Sequence, residues 1–328
     1  MSTNNRQAVT RLAAGSALLL AVCVGVGAIL VSGPFSSGAI GAGQTAAGLV
    51  APTALQKPPN QAPRPTGSPT AIALPSVSPT AGPTAAAPPT AKPTPRPTPE
   101  PNRLYHVPVL MYHRIIPTSE AGNSAPGLVV SPEMFSAQLK ALRDAGWQSI
   151  TMATLADDMA TDQTIPAKTF VITIDDGWSD GYDYAFPIMR EYGFVGTYFV
   201  IGSRIDEKDF LSTDQLRALE AAGNEIGNHT ENHVSLSSVP LWRVKSEVEN
   251  ASVAIEKAVG HRPVSLAYPM GGVSAASADV VSQIPDMKIA VTTHPGGSET
   301  WAERYHTPRV RINPSTDPAK LVASLSYS

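Results

Sequence analysis

The 328-residue chain contains one cysteine, Cys23, so it has no intramolecular disulfide framework and whatever folds must be held by its core. Cys23 sits in an apolar run after the bulky Val22 and reads as a small buried hydrophobe rather than a lipid attachment site. Aromatic residues are missing from Ser36 to Leu104, where Pro, Ala and Thr dominate and Pro-Thr dipeptides recur from Pro65 to Pro99. Such a composition cannot bury a core. A basic surplus is also missing, since the formal net charge is −3 and the pI near 6.2. That excludes the footprint of a nucleic-acid binder. The few charges of the Pro-rich stretch are mostly Lys and Arg, so the remainder is slightly more acidic than the total.

One long apolar run is present. Leu12 to Val31 carries no charge and follows Arg6 and Arg11. About twenty such residues cross a bilayer, and the arginines would stay inside. The expectation is a cytoplasmic N-terminus at 1–11, a membrane anchor at 12–32, a disordered Pro/Thr/Ala-rich linker at 33–103 and a catalytic domain at 104–328, held outside the cytosol. The alternative for 12–32 is a cleaved signal segment, with cleavage points among the small residues from Ser36 to Gly43, which would leave the protein secreted. The linker would be an extended tether, about 3.1 Å per residue where polyproline-like.

From residue 104 onward, short β-rich runs alternate with amphipathic helical patterns. The strands are expected at Val107–Tyr112, Ser149–Met152, Thr169–Ile174, Val195–Ile201, Glu225–Gly227, Val264–Ala267, Lys288–Thr292 and Val310–Ile312. The clearest helix starts at Ser131 as N-cap with Pro132 behind it, puts Phe135, Leu139, Leu142 and Ala145 on one face, and stops at Gly146. Asp180–Tyr192, Thr213–Ala222 and Trp242–Val259 repeat the scheme, each followed by glycine. This rhythm predicts an α/β fold with a mostly parallel sheet, closed into a distorted (β/α) barrel of seven to eight units. In such barrels chemistry sits at the carboxyl ends of strands. His113, Asp175-Asp176, His229 and Tyr268-Pro269 each follow a predicted strand.

Two motifs carry the chemistry. Thr173-Ile174-Asp175-Asp176-Gly177 ends an apolar strand in two carboxylates, which repel when both are ionised unless a cation relieves them. Side chains alternate along a strand, so one Asp would face a metal and the other the reacting water; spacing leaves open which. His229-Thr230-Glu231-Asn232-His233 spaces two imidazoles at i and i+4, which on a helical turn face one point. One Asp and two His make a metal set with open positions, and the second Asp is a candidate base for the attacking water. Thr230 or Asn228 would orient the rings. That is a hydrolase constellation.

Together the motifs resemble the polysaccharide deacetylases of the NodB-homology class, a carbohydrate esterase family. The likeness spans roughly Val107 to Ile312, with Glu225–His233 and Ala267-Tyr268-Pro269-Met270-Gly271 as further anchors. Val109-Leu110-Met111-Tyr112-His113 is similar to the opening strand of the branch with poly-N-acetylglucosamine deacetylases. The resemblance implies Asp175 as base, and Asp176, His229 and His233 holding one divalent ion, Zn2+ with Co2+ or Ni2+ as alternatives. It also implies Met270 N–H as an oxyanion donor. Three departures stand out. Ala267 replaces an arginine that would brace the base, and Arg309 is the candidate to supply that charge. An Asp-Trp motif is missing at Ala290–His294. A C-terminal Leu-x-His motif that provides the general acid is also missing, and His113 is the first candidate for that role, with an imidazole tuned to near 7, ahead of His294 and His306. Trp178 and Tyr268 are expected at the substrate, with Tyr182 and Trp301 as further stacking candidates.

The implied activity is removal of N-acetyl groups from N-acetylglucosamine-containing polysaccharide at the cell surface, with the N-acetylated glycan as partner, the membrane contacted through the N-terminal segment, and no protein partner. The alternatives are an O-acetyl esterase of the xylan type and a catalytically degenerate member that only binds polysaccharide. Metal-dependent phosphoester hydrolysis fits the ligands but not the scarcity of Arg and Lys in the site loops.

Overall fold

The computed structural model describes residues 98–326. The expected anchor at 12–32, and nearly all of the expected linker, lie outside them. No helix among the described residues is long and apolar enough to cross a membrane.

Eight parallel strands form the sheet: β1 (Val109–Tyr112), β2 (Gln148–Ile150), β3 (Thr169–Ile174), β4 (Thr197–Val200), β5 (Glu225–Asn228), β6 (Ser265–Ala267), β7 (Ile289–Pro295) and β8 (Thr307–Arg311). Seven of them close a ring in the order β1-β8-β7-β6-β5-β4-β3, with β3 returning to β1 through Val109↔Val171 to Tyr112↔Ile174. The eighth, β2, pairs only with the first half of β3, outside the ring. The barrel therefore has seven strands, at the lower end of the expected range. Its last strand starts three residues earlier than the hydrophobic pattern predicts, at Thr307, because that pattern is interrupted by the polar Arg309.

Alternation along β1 and β3 divides two cores. Val109 and Val171 join Phe199, Ala267, Ile289 and Val291 within the ring, while Leu110, Tyr112, Phe170, Ile172 and Ile174 pack outward under the helices. Gly227 leaves room for this filling: a Cβ there would meet the Phe199 ring at 2.5 Å.

The helices are α1 (Pro132–Asp144), α2 (Met152–Ala160), α3 (Phe186–Glu191), α4 (Thr213–Ala221), α5 (Leu241–Val259), α6 (Ala275–Ser282) and α7 (Pro318–Leu325). Ser131 caps α1 by accepting from Met134 N–H, and Ser212 and Gln215 form a reciprocal capping box on α4. The expected helix at Asp180–Tyr192 is instead a π-helical turn, Gly181–Ala185, running into the short α3. Helix α2 stoppers the amino end of the barrel. Its first N–H groups donate to Thr197 Oγ1 and to the Glu225 carboxylate at the starts of β4 and β5, and its apolar face enters the inner core. The opposite, carboxyl end is left for the loops.

Candidate active site

At that carboxyl end, β3 delivers Asp175 and Asp176 in succession. Asp175 N–H donates to the Tyr112 carbonyl and continues the ladder. The chain then turns sharply, with positive φ at Asp176 (77°) and Gly177 (75°), so the two carboxylates part company. Glycine takes this conformation without strain, and Asp is among the residues that tolerate it best.

Asp175 faces Arg309, which rises from the interior of β8 and is 1% exposed. Arg309 Nη1 and Nη2 donate to Asp175 Oδ1 and Oδ2, both at 2.8 Å. The same guanidinium donates to the Thr173 hydroxyl at 3.0 Å and the Thr292 carbonyl at 2.7 Å. This forked geometry matches carboxylate in a way lysine cannot. Burial alone would push the Asp175 carboxyl up; the charge and hydrogen bonds of Arg309 reverse that and hold it below the usual carboxylate range.

Asp176 faces the two histidines. His229 Nε2 and His233 Nε2 each lie 3.3 Å from Asp176 Oδ1, and one donor atom from each of the three residues falls within 4.8 Å of the others. The segment carrying the rings is not a helical turn, as the i, i+4 spacing suggests. It is a loop with positive φ at Thr230 (62°) and His233 (55°), which turns the second imidazole back on the first. Helix α5 holds that loop. Glu247 accepts from Asn232 N and Nδ2, and its carbonyl accepts from Glu231 N–H, while Asn228 Nδ2 donates to Val248 O and Ser252 Oγ. His229 Nδ1 lies 2.8 Å from the Ala267 carbonyl. A carbonyl only accepts, so Nδ1 carries the proton and Nε2 offers its lone pair.

This set fits a divalent ion. Ligands about 2.0–2.1 Å from a tetrahedral ion stand about 3.3–3.4 Å apart, the separation found on both Asp176–His edges. One carboxylate and two imidazoles leave coordination positions open. Burial raises the Asp176 carboxyl, yet the two histidines outweigh it and the net effect is strongly downward. His229 moves the opposite way: burial lowers it, and Asp176 and Asp175 lift it above its ordinary value.

His113, at the end of β1, places Nε2 3.9 Å from Asp175 Oδ2. Burial pulls its imidazole below the ordinary 6.5, only partly opposed by Asp175 and Asp176, rather than tuning it to near 7. His294 and His306 are not gathered here: His294 is exposed, and His306 leans on Glu303 at 3.9 Å. Met270, after β6, has φ 57° and is 66% exposed on the rim.

The expected sugar-stacking residues are placed differently. Tyr268 is 0% exposed and packs with Leu236, Val248 and Val281 beneath the helices, away from solvent. Trp178 stacks on Phe210 with centroids 4.4 Å apart, and Arg114 sits 4.2 Å from its centroid, so both faces are covered. Tyr182 stacks on Phe186, and Trp301 lies under Arg304. The open space beside the site is a groove of about 740 Å³ lined by Asp176, Ser203, Arg204, Phe210, Asn232 and His233. Sequence reading missed Glu247, although an acid between Val244 and Val248 on a buried helix face was a visible signal.

Comparison with known proteins gives this geometry a family. A family profile described as Polysaccharide deacetylase matches residues 162–286, which include both Asp and both His but neither His113 nor Arg309. YxkH of Bacillus subtilis, a protein named for polysaccharide deacetylases, is 30% identical over 208 residues, spanning 63% of this chain and 72% of that relative. A peptidoglycan-N-acetylglucosamine deacetylase of Bacillus cereus is 31% identical over 106 residues, 32% of this chain and 47% of its own length. Among solved structures, the Streptococcus pyogenes deacetylase PplD in complex with acetate shares the fold at TM-score 0.63 and 24% identity, covering 70% of this chain and 99% of that one. A match across nearly three quarters of the Bacillus subtilis relative, on the same barrel, makes the assignment: the chain belongs to the polysaccharide deacetylase family and is a hydrolase of that class.

Proposed function

We propose that the protein removes N-acetyl groups from N-acetylglucosamine-containing polysaccharide at the cell surface, with one divalent ion, Zn2+ in the first instance, held by Asp176, His229 and His233. The observation that carries this reading is the pair of 3.3 Å Asp–His edges beside a second carboxylate locked by arginine. The substrate class is supported by the Bacillus cereus relative, whose name specifies N-acetylglucosamine. The surface location rests on the sequence alone, through the apolar run at 12–32.

A divalent ion in this set would supply Lewis-acid polarisation of the acetamide carbonyl and make water easier to deprotonate. The residues do the rest. Asp175, kept ionised by Arg309, takes a proton from the attacking water. Met270 N–H donates to the oxygen that gains charge. His113, neutral by burial and 3.9 Å from Asp175 Oδ2, is placed to receive that proton and pass it to the departing nitrogen. The proton gained by the base thus leaves on the amine, and acetate is the other product. The glycan would lie in the groove beside His233.

The test is acetate release from matched N-acetylated and O-acetylated glycans. Turnover of N-acetylated oligomers of glucosamine well above that of acetylated xylan is expected. Preference for the xylan would move the protein to the ester-cleaving alternative, and no release from either would favour a polysaccharide-binding member.

A further inference from the structure

Asp176 uses its two oxygens differently. Oδ1 is the atom 3.3 Å from both histidine nitrogens, whereas Oδ2 accepts the indole N–H of Trp178 at 3.3 Å. A carboxylate with both oxygens free can swing to chelate a metal through either or both. One whose second oxygen is hydrogen-bonded is steered toward binding through the first alone.

The indole is held firmly for a residue in a loop. Its ring lies between Arg114, 4.2 Å from the centroid, and Phe210, stacked at 4.4 Å and 22°. Arg204 lies 5.3 Å from the Phe210 centroid, extending the ladder to four layers. Backbone hydrogen bonds from Ser179 N–H to Asp209 O and from Leu211 N–H to Gly177 O tie the two loops together around the stack. Arg114 is in turn fixed by Asp180, whose other oxygen accepts from Ile115 N–H at 3.0 Å. Trp178 also borders two cavities of about 740 and 680 Å³. A tryptophan with both faces covered has only its edge to offer, and that edge points at Asp176.

We propose that Trp178 is a positioning residue for the metal: its N–H occupies Asp176 Oδ2, so that the carboxylate binds the ion through Oδ1 alone and a coordination position stays open for substrate. This rests on the metal reading above. The experiment titrates the full-length chain, stripped of metal, with Zn2+ against a competing chelator, and records the visible spectrum of the Co2+ form. Trp178→Phe, which keeps a ring in the stack but deletes the N–H, is expected to lose about 10–100-fold in Zn2+ affinity. Its Co2+ absorption should weaken as the freed oxygen raises the coordination number. Affinity within twofold of wild type and an unchanged Co2+ spectrum would overturn the proposal while leaving the metal site intact. If wild type and His229→Ala bind Zn2+ equally weakly, it is the metal reading that fails. Should Trp178→Phe not fold, the indole 15N–H resonances of the wild type decide: one of the protein's four is expected to shift on adding Zn2+, and no shift in any would overturn the proposal.

Discussion

Arg309 is the residue on which the electrostatics of the site turn. A buried guanidinium and a buried carboxylate are each costly, and removing one member of such a pair leaves the other uncompensated, typically at about 3–5 kcal/mol. Arg309→Met is therefore expected to lower stability by about that amount and to do something more specific. With the arginine gone, burial, opposed more weakly by the nearby His113 and His229, raises the Asp175 carboxyl. A base works above its pKa, so activity is lost as pH falls through it. The acidic limb of the rate profile should move to higher pH in the variant, with a loss at neutral pH of about 10²–10⁴-fold. Arg309→Lys, which restores charge without the fork, should move the limb back part of the way. A limb that stays in place while metal content is unchanged would remove Asp175 from the role of base.

At the scale of elements, the His229–His233 loop depends on helix α5. Its own backbone takes positive φ twice, which non-glycine residues adopt only when the surroundings hold them. Glu247 does much of that holding through Asn232 and, by its carbonyl, Glu231. Glu247→Gln can still accept through its carbonyl oxygen, whereas Glu247→Leu leaves the Asn232 donors unanswered. The expected order of Zn2+ affinity is wild type, then Gln, then Leu, with the last about 10–100-fold weaker. Equal affinities across the series would mean that the loop is self-supporting. Here the limits of sequence reading are physical. The residues that the structure gathers were legible in Asp175-Asp176 and His229–His233, because carboxylates and imidazoles are the side chains that a metal set calls for. The loop conformation was not, because i, i+4 spacing suits a helix equally well and only α5 decides against it. Trp178 read as a sugar platform because its partners Arg114 and Phe210 are remote in sequence.

For the whole molecule, seven parallel strands gather the site because the ring brings β8 beside β1, and with it Arg309 within reach of Asp175. The α/β rhythm predicted the barrel; which strand would replace the missing arginine at Ala267 was an inference from Arg309, one of two arginines at the last strand. The fold also carries a liability away from the site. Glu299, on a two-residue strand paired with Leu104–Tyr105, is buried, and neither carboxyl oxygen has a hydrogen-bond partner among the described residues. Burial pushes its carboxyl well above the ordinary 4.5. The folded chain then keeps a proton that the unfolded chain releases, so stability falls as pH climbs above about 4.5, by about 1.4 kcal/mol per pH unit until the folded group also ionises. Glu299→Gln removes that titration. Thermal unfolding should show the variant more stable than wild type near neutral pH, with the advantage shrinking to little at about pH 4. An advantage that does not vary with pH would show that the carboxyl does not titrate as described.

One divalent ion in the Asp176–His229–His233 set is proposed to drive deacetylation. The most direct measurement is acetate released from an N-acetylglucosamine oligomer by the full-length chain, with bound metal quantified in the same samples. Release is expected in proportion to metal content, abolished by chelation, restored by one equivalent of Zn2+, and absent from Asp176→Asn at all but very high metal concentrations. Undiminished release from fully stripped protein, or from Asp176→Asn without added metal, would contradict it.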